Sequence, residues 1–97
     1  MMYGTVARMR VKPGMEDRFD QIAREIGVGR APGQVAVMVY QLDRDNREFI
    51  LTAVFENRDA YFANADSPEQ YERFMKLMQV LDGEPEWNDG EIVYSVF

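Results

Sequence analysis

A chain of 97 residues, 46% hydrophobic and 29% charged, has the length and composition of one folded domain and is too apolar for a disordered one. Its 17 acids against 11 bases leave a net charge of -6, which repels a phosphate backbone, so nucleic acid is not an expected partner. The absence of Cys and of His removes disulfides, thiolate nucleophiles, zinc-cysteine sites, Ser-His-Asp triads and the usual haem ligand, so no metal or cofactor is expected.

The opening Met1-Met2-Tyr3-Gly4 has neither the basic region of a secretion signal nor an apolar run long enough to span a bilayer. A cytoplasmic protein with no membrane partner is expected. Tyr3 to Val11 reads as a strand, with Tyr3, Thr5, Ala7, Met9 and Val11 on one side and Gly4, Val6, Arg8 and Arg10 on the other. Lys12-Pro13-Gly14 ends it, since Pro has no N–H for the ladder. From Met15 onward Phe19, Ile22, Ala23 and Ile26 recur at helical spacing, with acids in the first turn where the macrodipole favours them, and Gly27 and Gly29 are the expected stop.

Pro32-Gly33 then opens two β-rich runs, Gln34 to Leu42 and Glu48 to Phe55, separated by the polar Asp43-Arg44-Asp45-Asn46-Arg47. This is the pattern of an antiparallel hairpin. Neither run has a polar face, whereas a hairpin with one wet side alternates apolar and polar. Next, Asn57 caps a short helix carrying Ala60, Tyr61 and Phe62, and Ser67-Pro68-Glu69-Gln70 combines a Ser cap with Pro at the first helical position. The following helix presents Tyr71, Phe74, Met75, Met78 and Leu81 as its apolar stripe and ends near Asp82-Gly83. Glu84 to Gly90 reads as a polar loop holding Trp87, and Glu91 to Phe97 as a last strand, apolar on both faces.

The order strand, helix, strand, strand, helix, strand predicts an α+β fold. It is the ferredoxin-like βαββαβ arrangement, with a four-stranded antiparallel sheet and both helices on one face. Residues 1–97 then form a single domain. Two helices cover one side of the sheet, yet three strands are apolar on both. About ten apolar side chains, each worth roughly 1.5 to 3 kcal/mol on burial, would be left facing water. The expectation is a homodimer, sheet against sheet, closing an α/β barrel across two chains. Loops folding over the bare face are the alternative.

Val11-Lys12-Pro13-Gly14 before an acidic helix, Pro32-Gly33 before the second strand, and Phe55-Glu56-Asn57-Arg58-Asp59-Ala60 followed by Ser67-Pro68 resemble the antibiotic biosynthesis monooxygenase family. The resemblance spans essentially the whole chain and implies a dimeric α/β barrel. The superfamily includes cofactor-free monooxygenases, haem-degrading enzymes and members with no assigned function. Where relatives often carry His, three residues before the Ser-Pro cap, this chain has Asn64, so the haem-degrading branch lacks its axial ligand.

The cofactor-free activity implied by the resemblance needs a small aromatic or quinol-type substrate that reacts with O2 itself, held in a dry pocket with developing negative charge stabilised. The candidate residues are Asn64 as amide donor, Tyr40 as hydroxyl donor, Trp87 as aromatic wall and Arg8 as anion stabiliser. Tyr61, Tyr94, Arg10 and Asn57 are reserves. Each has a structural alternative. Tyr40 and Tyr94 pack at a dimer seam, Trp87 anchors a loop against a helix, Arg8 and Arg10 pair with acids, and Asn64 bonds its own helix end. Asp43, Asp45, Glu84, Glu86 and Asp89 read as solvated turn residues. The competing function is a non-catalytic homodimeric protein that binds a small molecule.

Overall fold

The computed structural model describes residues 1–28 and 30–97, with the side chains of Gly27 and Val28 left aside. The elements are β1 (Tyr3–Arg10), α1 (Glu16–Val28), β2 (Gln34–Gln41), β3 (Glu48–Phe55), α2 (Arg58–Ala65), α3 (Pro68–Val80) and β4 (Glu86–Glu91). The strands form one sheet in the order β2-β3-β1-β4, antiparallel throughout, which is the ferredoxin-like arrangement.

Local chemistry sets most boundaries. The Asn57 side chain accepts the Ala60 N–H at 2.8 Å and starts α2; the Ser67 hydroxyl accepts the Gln70 N–H at 3.1 Å and starts α3 over Pro68. Gly33 turns the chain into β2 with φ +78°, a left-handed conformation that costs other residues strain. Gly27 lies inside α1, which runs to Val28, so it is not the helix stop; Gly29 lies outside the described residues.

Directly paired residues share a face, so register assigns the two sides of the sheet. Tyr3, Thr5, Ala7 and Met9 pair with Phe55, Ala53, Leu51 and Phe49, and this side meets the helices. Val37 and Val39 of β2 and Trp87 and Asp89 of β4 lie on it too. At one end Met9, Val11, Phe19, Ile22, Phe49, Leu77, Val80 and Leu81 form the buried core, with the Phe19 and Phe49 rings 4.5 Å apart. At the other end Tyr3, Phe55, Tyr61 and Phe62 form an aromatic cluster, with the Arg58 guanidinium over the rings of Tyr3 and Phe62. The reverse side carries Val6, Arg8, Arg10, Met38, Tyr40, Ile50, Thr52 and Val54, and Val6, Met38 and Tyr40 are about half exposed.

Two expectations need correction. The fourth strand is Glu86–Glu91, in the stretch expected to be a loop, and residues 92–97 belong to no strand. Pairing decides this: Glu86 to Glu91 run opposite Arg8 to Tyr3, and β1 offers no further ladder for the apolar residues beyond. A polar sequence is tolerated there because β4 is an exposed edge strand. In α3 the buried residues are Leu77 and Val80, continued by Leu81, whereas Tyr71 and Met75 of the expected stripe are exposed. α3 leans its Leu77 side on α1 and the sheet, which turns Met75 outward.

Candidate functional site

Between core and aromatic cluster the helices stand off the sheet and leave a cavity of about 400 Å³. Its floor is the middle of the sheet, at Thr5, Val37, Leu51 and Ala53. α2 contributes Tyr61, Phe62 and Asn64, and α3 contributes Gln70, Tyr71, Phe74 and Leu77. Trp87 and Asp89 wall the β4 side, with the Trp87 ring 6.4 Å from Phe74.

The polar groups in this apolar space are few, as in pockets that orient small organic ligands. The Tyr61 hydroxyl donates to Asp89 Oδ1 at 2.8 Å, tying α2 to β4. Burial first, and the bond to Asp89 second, push the Tyr61 phenol up from 10.0 to about 12. At neutral pH it is therefore a proton donor and not a base. Thr5 sits opposite Asp89 in the register, and its buried hydroxyl has no hydrogen-bond partner among the described residues. Across the cavity the Asn64 side-chain amide donates to Gln70 Oε1 at 3.4 Å, while Ser67 bonds the Asn64 carbonyl. Asp89 is the one carboxylate among the described lining residues, and no Lys or Arg is among them.

Of the residues expected from sequence, Asn64 and Trp87 line this cavity together. Trp87 does so from a strand, not from a loop. Tyr40 and Arg8 stand on the reverse face of the sheet, because Tyr40 pairs with Ile50 and Arg8 is opposite the same residue on the other side. Arg8 faces Glu48 at 4.0 Å, and Arg10 bonds Asp45 at 3.0 Å and Glu48 at 3.4 Å. Asp89, read as a turn residue, and the Thr5 hydroxyl are the missed members of the site. A β4 placed five residues earlier would have brought Asp89 onto the helix-facing side by alternation.

The sequence profile of the antibiotic biosynthesis monooxygenase family matches residues 2–77. The chain belongs to that family. The antibiotic biosynthesis monooxygenase fold recurs in solved structures at low sequence identity. A Chloroflexus aurantiacus protein named for the same family is 23% identical, covers 100% of this chain and 98% of its own, and superposes with a TM-score of 0.83. SnoaB of Streptomyces nogalater, described as a cofactor-independent oxygenase, is 16% identical over 98% of this chain and 96% of its own, with a TM-score of 0.85. A SnoaB variant with one Asn replaced by Ala gives 0.86. A conserved protein of Methanosarcina mazei Go1 is 20% identical over 94% of this chain and 92% of its own, with a TM-score of 0.83. Among curated proteins none matches the sequence. Among the described residues, no helix is long and apolar enough to cross a membrane.

Proposed function

We propose that residues 1–97 are one cytoplasmic, homodimeric antibiotic biosynthesis monooxygenase domain that oxygenates a small phenol or hydroquinone with O2 and without a cofactor. The observation carrying this reading is the cavity: about 400 Å³ of mostly apolar space, walled by aromatic rings, with Asp89, Tyr61, Thr5 and Asn64 as its polar points. Family membership supports it, as does the likeness to a fold-mate described as a cofactor-independent oxygenase.

Chemistry of this kind needs the substrate itself to supply electrons. A phenol or hydroquinone loses a hydroxyl proton to the Asp89 carboxylate, an electron-rich ring carbon that carries hydrogen adds to O2, forming a C–O bond, and the peroxide takes the proton back from Asp89. The O–O bond of the resulting hydroperoxide then breaks, water leaves with the ring hydrogen, and a carbonyl remains. One oxygen atom stays in the quinone, the other departs as water, and the ring's own electrons reduce O2. The protein's part is to exclude water, fix the ring between Trp87 and Phe74, and meet negative charge on oxygen with the hydroxyl of Thr5 and the amide of Asn64, while the Tyr61 hydroxyl holds Asp89 in place.

The homodimer is supported by the reverse face, where Val6, Met38, Ile50 and Val54 share the side of the sheet turned away from the buried core, with Val6 and Met38 about half exposed. Oxygen uptake with a panel of phenols and hydroquinones tests the activity. Turnover above the buffer rate that falls in an Asn64→Ala variant is expected. Saturable binding with no oxygen consumption would replace this reading with that of a non-catalytic binding protein.

A further inference from the structure

We infer that the substrate of this domain carries a carboxylate, which passes beside Asn64 out of the inner cavity and binds Arg73 in a second groove. The inference rests on the oxygenation proposed above and adds the class of molecule that would undergo it. The groove has a volume of about 540 Å³ and lies between residues 30–33, Ala60 and Ala63 of α2, and Glu69 and Arg73 of α3. Asn64 lines this groove and the inner cavity alike, so the two spaces share a wall at that side chain.

In a chain of net charge -6 most bases have an acid to hand, and Arg8, Arg10, Arg24, Arg44, Arg47 and Lys76 each stand within 4.0 Å of a carboxylate. Among the described residues Arg73 has no such partner, although Glu56 and Glu69 border the same groove. Its guanidinium is half-buried and donates to the neutral Gln70 Oε1 at 3.4 Å. The Asn64 amide donates to that same oxygen, also at 3.4 Å, and both bonds are long for N–H donors. A half-buried guanidinium in this position gains most from an anion that accepts two of its N–H groups. Arg30, exposed on the opposite bank, adds to the positive field. Glu56 and Glu69 then select among anions, since they oppose a doubly charged phosphate more than a singly charged carboxylate.

The path between the two spaces is short. Gln70 lines the inner cavity and is bonded to Arg73, which lines the groove, so the guanidinium stands one side chain away from the space that holds the ring. A carboxylate tail replaces Gln70 Oε1 as the acceptor, exchanging a long neutral bond for a charge-assisted one, and leaves Gln70 to Asn64. The inner cavity offers such a tail nothing, because Asp89 is the one charged residue among its described lining and repels it. The ring therefore goes in with its reacting hydroxyl toward Asp89, and the tail stays out.

Fluorescence of Trp87, the single Trp and a wall of the inner cavity, reads binding to the intact protein without any turnover. The probes are the para-hydroxyphenyl derivatives of acetate, propanoate and butanoate, each with its methyl ester, and para-hydroxybenzylphosphonate. At least one acid is expected to bind about 10-fold tighter than its own ester, an advantage that shrinks with added salt. Arg73→Gln should abolish the advantage and Arg73→Lys should restore part of it. Equal or absent binding of acid and ester at every chain length, tighter binding of the phosphonate, or an Arg73→Gln variant that weakens acid and ester alike would each overturn the inference. The last result would assign Arg73 to holding Gln70 in place. Oxygen uptake with the corresponding dihydroxyphenyl acids and esters separates the two readings. An acid preference in binding with no uptake would strike the oxygenation and keep the carboxylate groove, whereas equal uptake with acids and esters would strike the groove and keep the oxygenation.

Discussion

Tyr61 and Asp89 are the hydrogen-bonded pair in the cavity wall, and each carries a measurable consequence. The folded state holds the Tyr61 proton more tightly than the unfolded chain, because the phenol rises from 10.0 to about 12. Its neutral form therefore contributes stability that is fully present below pH 10 and is lost as pH climbs toward about 12. A Tyr61→Phe variant should lose less stability than the parent over that interval, checked by urea midpoints at stepped alkaline pH. Asp89→Asn keeps the shape but removes the carboxylate proposed to take the substrate proton. Oxygen uptake should fall about 100-fold, and the Tyr61 phenol should titrate lower, which absorbance of the ionised ring would report. Of the residues that the sequence offers as candidates, Asn64 and Trp87 line the cavity, whereas Tyr40 and Arg8 lie on the reverse face of the sheet. Residue type suggested the chemistry of a hydroxyl or a guanidinium. Which face a strand shows to the helices depends on what packs there.

Turns and caps are local, and they were readable for that reason. Gly33 combines φ +78° with a Cβ position that would lie 2.7 Å from the Ala60 Cβ, so Gly33→Ala should cost about 1 to 2 kcal/mol. Ser67→Ala should cost about 1 kcal/mol by leaving the Gln70 N–H unpaired, and denaturant unfolding measures both. Helix α3 supplies a sharper comparison. Leu77→Ala should destabilise by about 2 to 4 kcal/mol and Met75→Ala by under about 0.5, since Leu77 is buried in the core and Met75 faces solvent. The spacing of Tyr71, Phe74, Met75 and Met78 marked a helix correctly without saying which of its apolar residues turn inward. β4 was misplaced because hydropathy favours Ile92 to Phe97 over the polar Glu86 to Glu91. Ladder register with β1 favours the opposite, and register prevails at an edge strand.

For the molecule as a whole, the open side of the sheet is the decisive feature. Replacing Val6 by Asp on that face should shift a sedimenting dimer toward monomer while leaving the unfolding of the subunit nearly unchanged, because Val6 is half exposed in one copy. An unaltered dimer would mean that the copies meet elsewhere.

Element order, turn chemistry and helix caps need only neighbours within a few residues, and an apolar surplus on both sides of β2 and β3 is a matter of counting; the sequence alone therefore determined the ferredoxin-like order of elements and that surplus. The Tyr61–Asp89 bond joins residues 28 positions apart, the cavity brings together residues as distant as Thr5 and Asp89, and the unpaired segment after Glu91 depends on where a ladder runs out. Those features only the tertiary structure decided, because strand register and helix tilt are set by the packing of the whole sheet.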